Sequence, residues 1–253
     1  MKKLNILAII SFVFPISAFY DCDTVLLNKN DTIVVCTTTS KTGKIVGVEQ
    51  FRNGKSDGLY RRWHENGKLE YVKRYKDGCP VDTAFEYFDN GQFKSIIPYF
   101  ECKRNGWRIE LSIRGDTLAK GNARNGKSIG THYAWWSNGK PKFKINYNSS
   151  GQKHGLSEEW REDGTRKDSI VYDNGDIIEY REYYENGKLR RHVYQKPVNR
   201  DINAVYYDPK GNKVGEVKNG KGTYISYSED GKSARRVYME NDEVVKIEKI
   251  DVE

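Results

Sequence analysis

The chain has 253 residues, with 43 Lys or Arg against 35 Asp or Glu and a formal net charge of +8. The two signs are interleaved with no run of five alike, which excludes the basic footprint of a nucleic-acid or anionic-lipid binder. Hydrophobic residues make up only 37% while aromatics reach 13%, with 18 tyrosines, so the composition excludes a thick globular core and fits a thin sheet covered by rings and long charged stems.

Residues 1–18 read as a secretory signal: Lys2 and Lys3, then the apolar run Leu4 to Ile16, then the small-residue site Ile16-Ser17-Ala18. The run is too short for a confident membrane span. Tyr20 and Asp21 before Cys22 argue against a lipoprotein site. The expected location is outside the inner membrane: periplasm, outer cell envelope or secreted.

Residues 19–39 read as an N-terminal cap hairpin, with Thr24 to Leu27 and Thr32 to Val35 flanking the turn residues Asn28-Lys29-Asn30-Asp31. The four cysteines, Cys22, Cys36, Cys79 and Cys102, suggest two disulfides in an oxidising compartment, with three pairings open. One hairpin favours Cys22 with Cys36, which leaves Cys79 with Cys102 near the base of the hairpin turning at Gly91. Zinc is disfavoured because no CxxC pair and no histidine at ligand spacing accompanies them.

Residues 40–238 carry a repeat of about 24 residues marked by glycine, from Gly43 through Gly67, Gly91, Gly115, Gly139, Gly164, Gly187 and Gly211 to Gly231. An aromatic stands four places before most marks (Trp63, Tyr87, Trp135, Trp160, Tyr183, Tyr207, Tyr227). Another stands eight places after many (Phe51, Tyr75, Tyr99, Tyr147, Tyr172). More than half of the 23 glycines follow Asn or Asp, the strongest short-range hairpin signal. At Glu65-Asn66-Gly67 a type I turn with Gly67 left-handed makes a bulge and pairs Trp63 with Leu69. That register is expected to put Trp63, Leu69, Tyr71 and Tyr75 on one face. Second turns at Asn53-Gly54, Asp77-Gly78, Asn125-Gly126, Asn174-Gly175 and Asn219-Gly220 join successive hairpins. Residues 239–253 read as a C-terminal capping strand that blunts the open edge with charge. The expected fold is all-β, one elongated antiparallel meander or solenoid of about eight to nine hairpin repeats.

Three stretches carry a family resemblance. They are Gly54-Lys55-Ser56-Asp57-Gly58-Leu59-Tyr60 leading to Trp63 and Asn66-Gly67-Lys68-Leu69, Gly126-Lys127-Ser128-Ile129-Gly130 leading to Trp135 and Asn138-Gly139, and Gly151-Gln152-Lys153-His154-Gly155 leading to Trp160 and Asp163-Gly164. They resemble MORN-type repeats, in the bacterial variant labelled as a toxin–antitoxin antitoxin component, over roughly residues 40 to 240. The resemblance implies a β-repeat scaffold without catalytic residues, used for protein–protein interaction of an antitoxin or immunity kind.

No metalloprotease, nucleophile-elbow, phosphate-loop or dinucleotide motif occurs, so no catalytic residue, metal ligand, cofactor or small-molecule cofactor site is expected. Glu65-Lys68, Glu185-Lys188 and Glu229-Lys232 straddle equivalent turns as expected charge pairs. Off-register aromatics are the candidate binding residues: Tyr60, Trp107, Tyr133, Trp136, Tyr184 and Tyr206, with Trp136 expected opposite Trp135. The leading expectation is a non-enzymatic exported scaffold binding an unknown protein partner. Alternatives are a cell-envelope polysaccharide binder using the outward aromatics, and a glycan-cleaving enzyme, for which an open sheet supplies no cleft.

Overall fold

The computed structural model describes residues 19–28, 31–195 and 202–252; the expected signal at residues 1–18 and the tip of the cap hairpin lie outside them. The described residues form 22 strands and no helix. Their contacts fall into two compact units, one reaching Thr117 and including Ala123–Lys127, the other made of Leu118–Asn122 and Ser128 onward.

In the first unit β1 (Phe19–Asn28), β2 (Asp31–Thr39), β3 (Ile45–Arg52), β4 (Lys55–Ser56), β5 (Gly58–Trp63), β6 (Leu69–Lys76), β7 (Cys79–Tyr87), β8 (Phe93–Phe100), β9 (Lys103–Arg104) and β10 (Gly106–Leu111) follow in order. β11 (Thr117–Arg124) contributes to both units. The second unit continues with β12 (Lys127–Trp135), β13 (Pro141–Tyr147), β14 (Gly155–Trp160), β15 (Arg166–Asp173), β16 (Asp176–Tyr183) and β17 (Leu189–Gln195). It ends with β18 (Ile202–Tyr207), β19 (Lys213–Lys218), β20 (Lys221–Tyr227), β21 (Ala234–Glu240) and β22 (Glu243–Ile250). Within each unit the described pairings are antiparallel and join hairpin to hairpin as a meander.

Two turn chemistries alternate. In the first, the Gly67 N–H donates to His64 O at 2.8 Å and the His64 N–H donates to Lys68 O at 2.9 Å. Gly67 sits at φ 83°, where a Cβ costs roughly 1 kcal/mol or more. The Gly67 bulge pairs Trp63 with Leu69, as expected, and the register then slips a second time past Glu70, which sets Arg62 opposite Tyr71. The same pair of steps matches Tyr87 with Phe93, Trp135 with Pro141 and Trp160 with Arg166. In the second, a two-residue turn has both residues at positive φ, as Asn53 at 50° and Gly54 at 78°. That twist matches the flanking strands, which is why Asx-Gly recurs there.

That second slip overturns the expected single aromatic layer. Directly opposed residues share a face and successive residues alternate, and Arg62, not Trp63, stands opposite Tyr71. Trp63 therefore lies on the face away from Tyr71 and Tyr75. By the same registers Trp135 and Trp160 lie away from Phe143 and Tyr172 in the second unit. The tryptophans keep one face, and the trailing tyrosines take the other. The most buried positions on the tyrosine face are small: Ala84 at 1% and Ser95 at 3% exposure in the first unit, Ala204 at 3% and Val217 at 2% in the second. That tyrosine face is the core face of each unit.

Both disulfides, Cys22–Cys36 and Cys79–Cys102, are formed, with sequence separations of 14 and 23. Cys22 stands directly opposite Cys36 in the β1–β2 register, as one hairpin requires. Each closes a loop worth about 3 kcal/mol of lost unfolded-state entropy. Disulfides accord with an oxidising environment.

Candidate functional site

Adjacent hairpins are fastened by the turn residues themselves. Asn138 Oδ1 accepts from the Lys140 N–H at 3.0 Å, closing an Asx turn, while its Nδ2 donates to Glu162 O of the next turn at 2.8 Å. Lys140 Nζ reaches on to Asp163 O at 2.5 Å. Asn66 with Lys68 and Asn186 with Lys188 repeat both contacts. The expected Glu65-Lys68 and Glu185-Lys188 pairs are therefore not what these lysines make: a fixed carbonyl one turn away outcompetes a solvated carboxylate on a mobile stem. Glu229 pairs instead with Arg161 at 2.7 Å.

In several repeats the residue after the leading aromatic makes a third fastening. His64 Nε2 meets Tyr87 O at 3.0 Å, Trp136 Nε1 donates to Trp160 O at 3.0 Å, and the Tyr184 hydroxyl donates to Tyr207 O at 2.8 Å. Trp136 lies just past the end of β12, so its direction is set by the turn and not by strand alternation. Its ring also lies under Lys142 Nζ, 4.4 Å from the centroid. Tyr184 is 2% exposed and offers no open ring surface. Burial pushes its phenol up to about 12.

The remaining candidates divide between the two faces. Tyr60 lies on the core face of the first unit, opposite Lys73 and edge-to-face with Tyr71 at 5.9 Å. Lys73 Nζ stands 4.5 Å from the Tyr99 centroid and 5.0 Å from that of Tyr75, and burial lowers its pKa. Trp107 of β10 is 47% exposed, on the side of Ile109. In the second unit Tyr133 stacks on Trp135 at 5.8 Å, with Lys120 Nζ 5.4 Å from its centroid.

Tyr206 is the candidate around which other groups converge. It stands opposite Gly215, and Gly215 stands opposite Tyr224. With no side chain between them the two rings close over the glycine, 3.5 Å apart and 5° from parallel. A Cβ on Gly215 would lie 2.4 Å from Thr223 O and 2.4 Å from Tyr224 Cα, so only glycine fits. Across the β17–β18 pairing Arg191 faces Tyr206, and across β16–β17 it faces Glu182. Glu182 holds both neighbouring arginines, Arg190 Nη1 at 3.1 Å and Arg191 Nε at 2.6 Å. Arg190 also donates to Tyr227 O at 2.7 Å and lies 5.6 Å from the Tyr184 centroid. Together these groups line a cup of about 130 Å³. Burial first, and the stacked Tyr224 second, push the Tyr206 phenol well above its usual value, so it is a neutral hydrogen-bonding group throughout the physiological range.

The cup thus unites two of the six candidate residues, Tyr184 and Tyr206, with Glu182, Arg190, Arg191 and Tyr224, which sequence reasoning missed. The available signal was the register: once both turn types are placed, Glu182, Arg191, Tyr206, Gly215 and Tyr224 fall on one cross-strand line.

No curated protein matches the chain. A porin-like protein from Bacteroides uniformis aligns over 91% of this chain and 93% of its own, at 10% identity and a TM-score of 0.21, a likeness that carries nothing further. Residues 56–77, 129–149 and 178–196 match the MORN repeat variant, so in three of its hairpins the chain is similar to that repeat.

Proposed function

We propose that this chain is an exported, non-enzymatic repeat scaffold that binds a protein partner, with the Tyr206–Tyr224 cup of the second unit receiving an anchoring side chain. The observation that carries this reading is the cup's size together with its lining. About 130 Å³ is well below the roughly 300–1,000 Å³ of small-molecule sites, but suits a single side chain. Its tyrosines and arginines are the residue types that dominate contact energies in protein interfaces. Rings braced against each other and arginines held by Glu182 also lose little freedom when a partner docks. Export is supported by the apolar N-terminal run and by the two disulfides.

The test compares capture from native envelope extract by the chain and by a Tyr206→Ala/Tyr224→Ala variant shown by circular dichroism to keep its strands. A protein held by the parent and lost at least about tenfold by the variant supports the reading. Equal capture by both refutes the cup as the site. Retardation of the chain in a polysaccharide gel, abolished by Trp107→Ala, would favour the carbohydrate alternative instead.

A further inference from the structure

The last strand of the second unit, β22, pairs with β21 and with no other described strand. Among the described residues its outer row of backbone N–H and C=O groups is left unpaired, a ready template for another strand. Three of its apolar side chains stand in solvent, Val244 at 52%, Val245 at 56% and Ile247 at 55% exposure. Isolated exposed apolar residues need no explanation, but three along one unpaired edge do.

The sequence of the strand says what fits there. It reads Glu243-Val244-Val245-Lys246-Ile247-Glu248-Lys249-Ile250. We propose that β22 is a homodimer edge: a second copy adds its own β22 antiparallel to this one, across a two-fold axis at Ile247. In a two-fold strand pair centred on a residue, opposed positions differ by an even number, so outward-pointing backbone groups meet outward-pointing groups as long as the strand is regular; in β22 that holds from Lys246 onward, because the slip between Tyr238 and Met239 leaves Val245 as a bulge. Centring on Ile247 sets Ile247 against Ile247, and the regular register ends on each side where it reaches the Val245 bulge. It also sets Lys246 against Glu248 twice, once on each side of the axis. Moving the centre one residue either way opposes Lys246 to Lys246 or Glu248 to Glu248, a like-charge contact that disfavours pairing. Over Lys246 to Glu248, the regular stretch on both strands, the register centred on Ile247 brings no like charges together. Within one chain Lys246 Nζ already lies 2.7 Å from Glu248 Oε1. The dimer would convert this pair into a closed ring of four alternating charges. The same patch is self-complementary, as a two-fold interface requires.

One strand pair buries less than a standard interface, so the association is weak and belongs to concentrated protein. Sedimentation equilibrium of the full chain is expected to show a monomer–dimer equilibrium. Lys246→Glu alone, or Glu248→Lys alone, weakens it about tenfold or more, because each places two like pairs where two complementary pairs stood. An equimolar mixture of these two variants regains the dimer, since each supplies the charge the other lacks. Ile247→Cys gives a disulfide-linked dimer on mild oxidation. A chain that stays monomeric at every concentration overturns the proposal. So does a dimer that neither single substitution weakens, or variants that fail to rescue each other on mixing. None of these results touches the Tyr206–Tyr224 cup, which is tested by its own variant.

Discussion

Gly215 shows how one missing side chain organises its surroundings. Tyr206 and Tyr224 belong to strands two apart, yet their rings meet because nothing rises between them. The obstruction to a Cβ there is backbone, not a movable side chain. Gly215→Ala is therefore expected to cost about 2–3 kcal/mol in urea unfolding and to abolish the cup. Asp168 presents the opposite case, a residue whose replacement helps. It stands between Glu159 and Glu182 on one cross-strand line. Burial, then the Glu159 charge, raises its carboxyl pKa above 3.8. The folded state thus holds this proton more tightly than the unfolded chain, and stability falls as pH rises from the ordinary carboxylate range through the raised value. Asp168→Asn is expected to raise the melting temperature at neutral pH, with the gain vanishing in acid well below the ordinary carboxylate range. A gain that persists there would show a cause other than charge.

At the scale of the hairpin, the Asn-Gly-Lys turn does two jobs, bending its own strands and holding the next turn. Asn138→Ala removes both the Asx closure and the bond to Glu162 O, and is expected to cost about 1–2 kcal/mol. Asn138→Asp keeps the acceptor and loses the donor, so its cost should fall between the two chains in the same denaturant titration. Both turn types were legible in the sequence because Asx-Gly demands particular dihedrals, and so was the Trp63–Leu69 register. The faces were not. A second slip leaves Glu70 unopposed in one strand only, so Trp63 and Tyr71 part company though the Gly67 turn alone promises alignment. The cup was hidden for a related reason. Arg190 and Arg191 look like ordinary surface charges until the registers of three hairpins place Glu182 and Tyr206 on either side.

For the molecule as a whole, the two compact units differ in how they are secured. Cys22, Cys36, Cys79 and Cys102 all belong to the first unit, and the second has no disulfide among its described residues. Reductant is therefore expected to act on one unit. By hydrogen exchange, amides of β3 to β8 should lose protection on reduction while those of β14 to β21 keep theirs; uniform loss would mean that the units do not open separately. The fastenings between hairpins carry a further consequence. Their donors are side chains, Asn138, Lys140, Trp136 and Tyr184 among them, but their acceptors are main-chain carbonyls that every amino acid supplies. A hairpin need not recognise the identity of its successor, only its shape. Copying or excising a whole period leaves each junction chemically intact, so a lineage can lengthen or shorten such a protein by unequal recombination without inventing a single new contact.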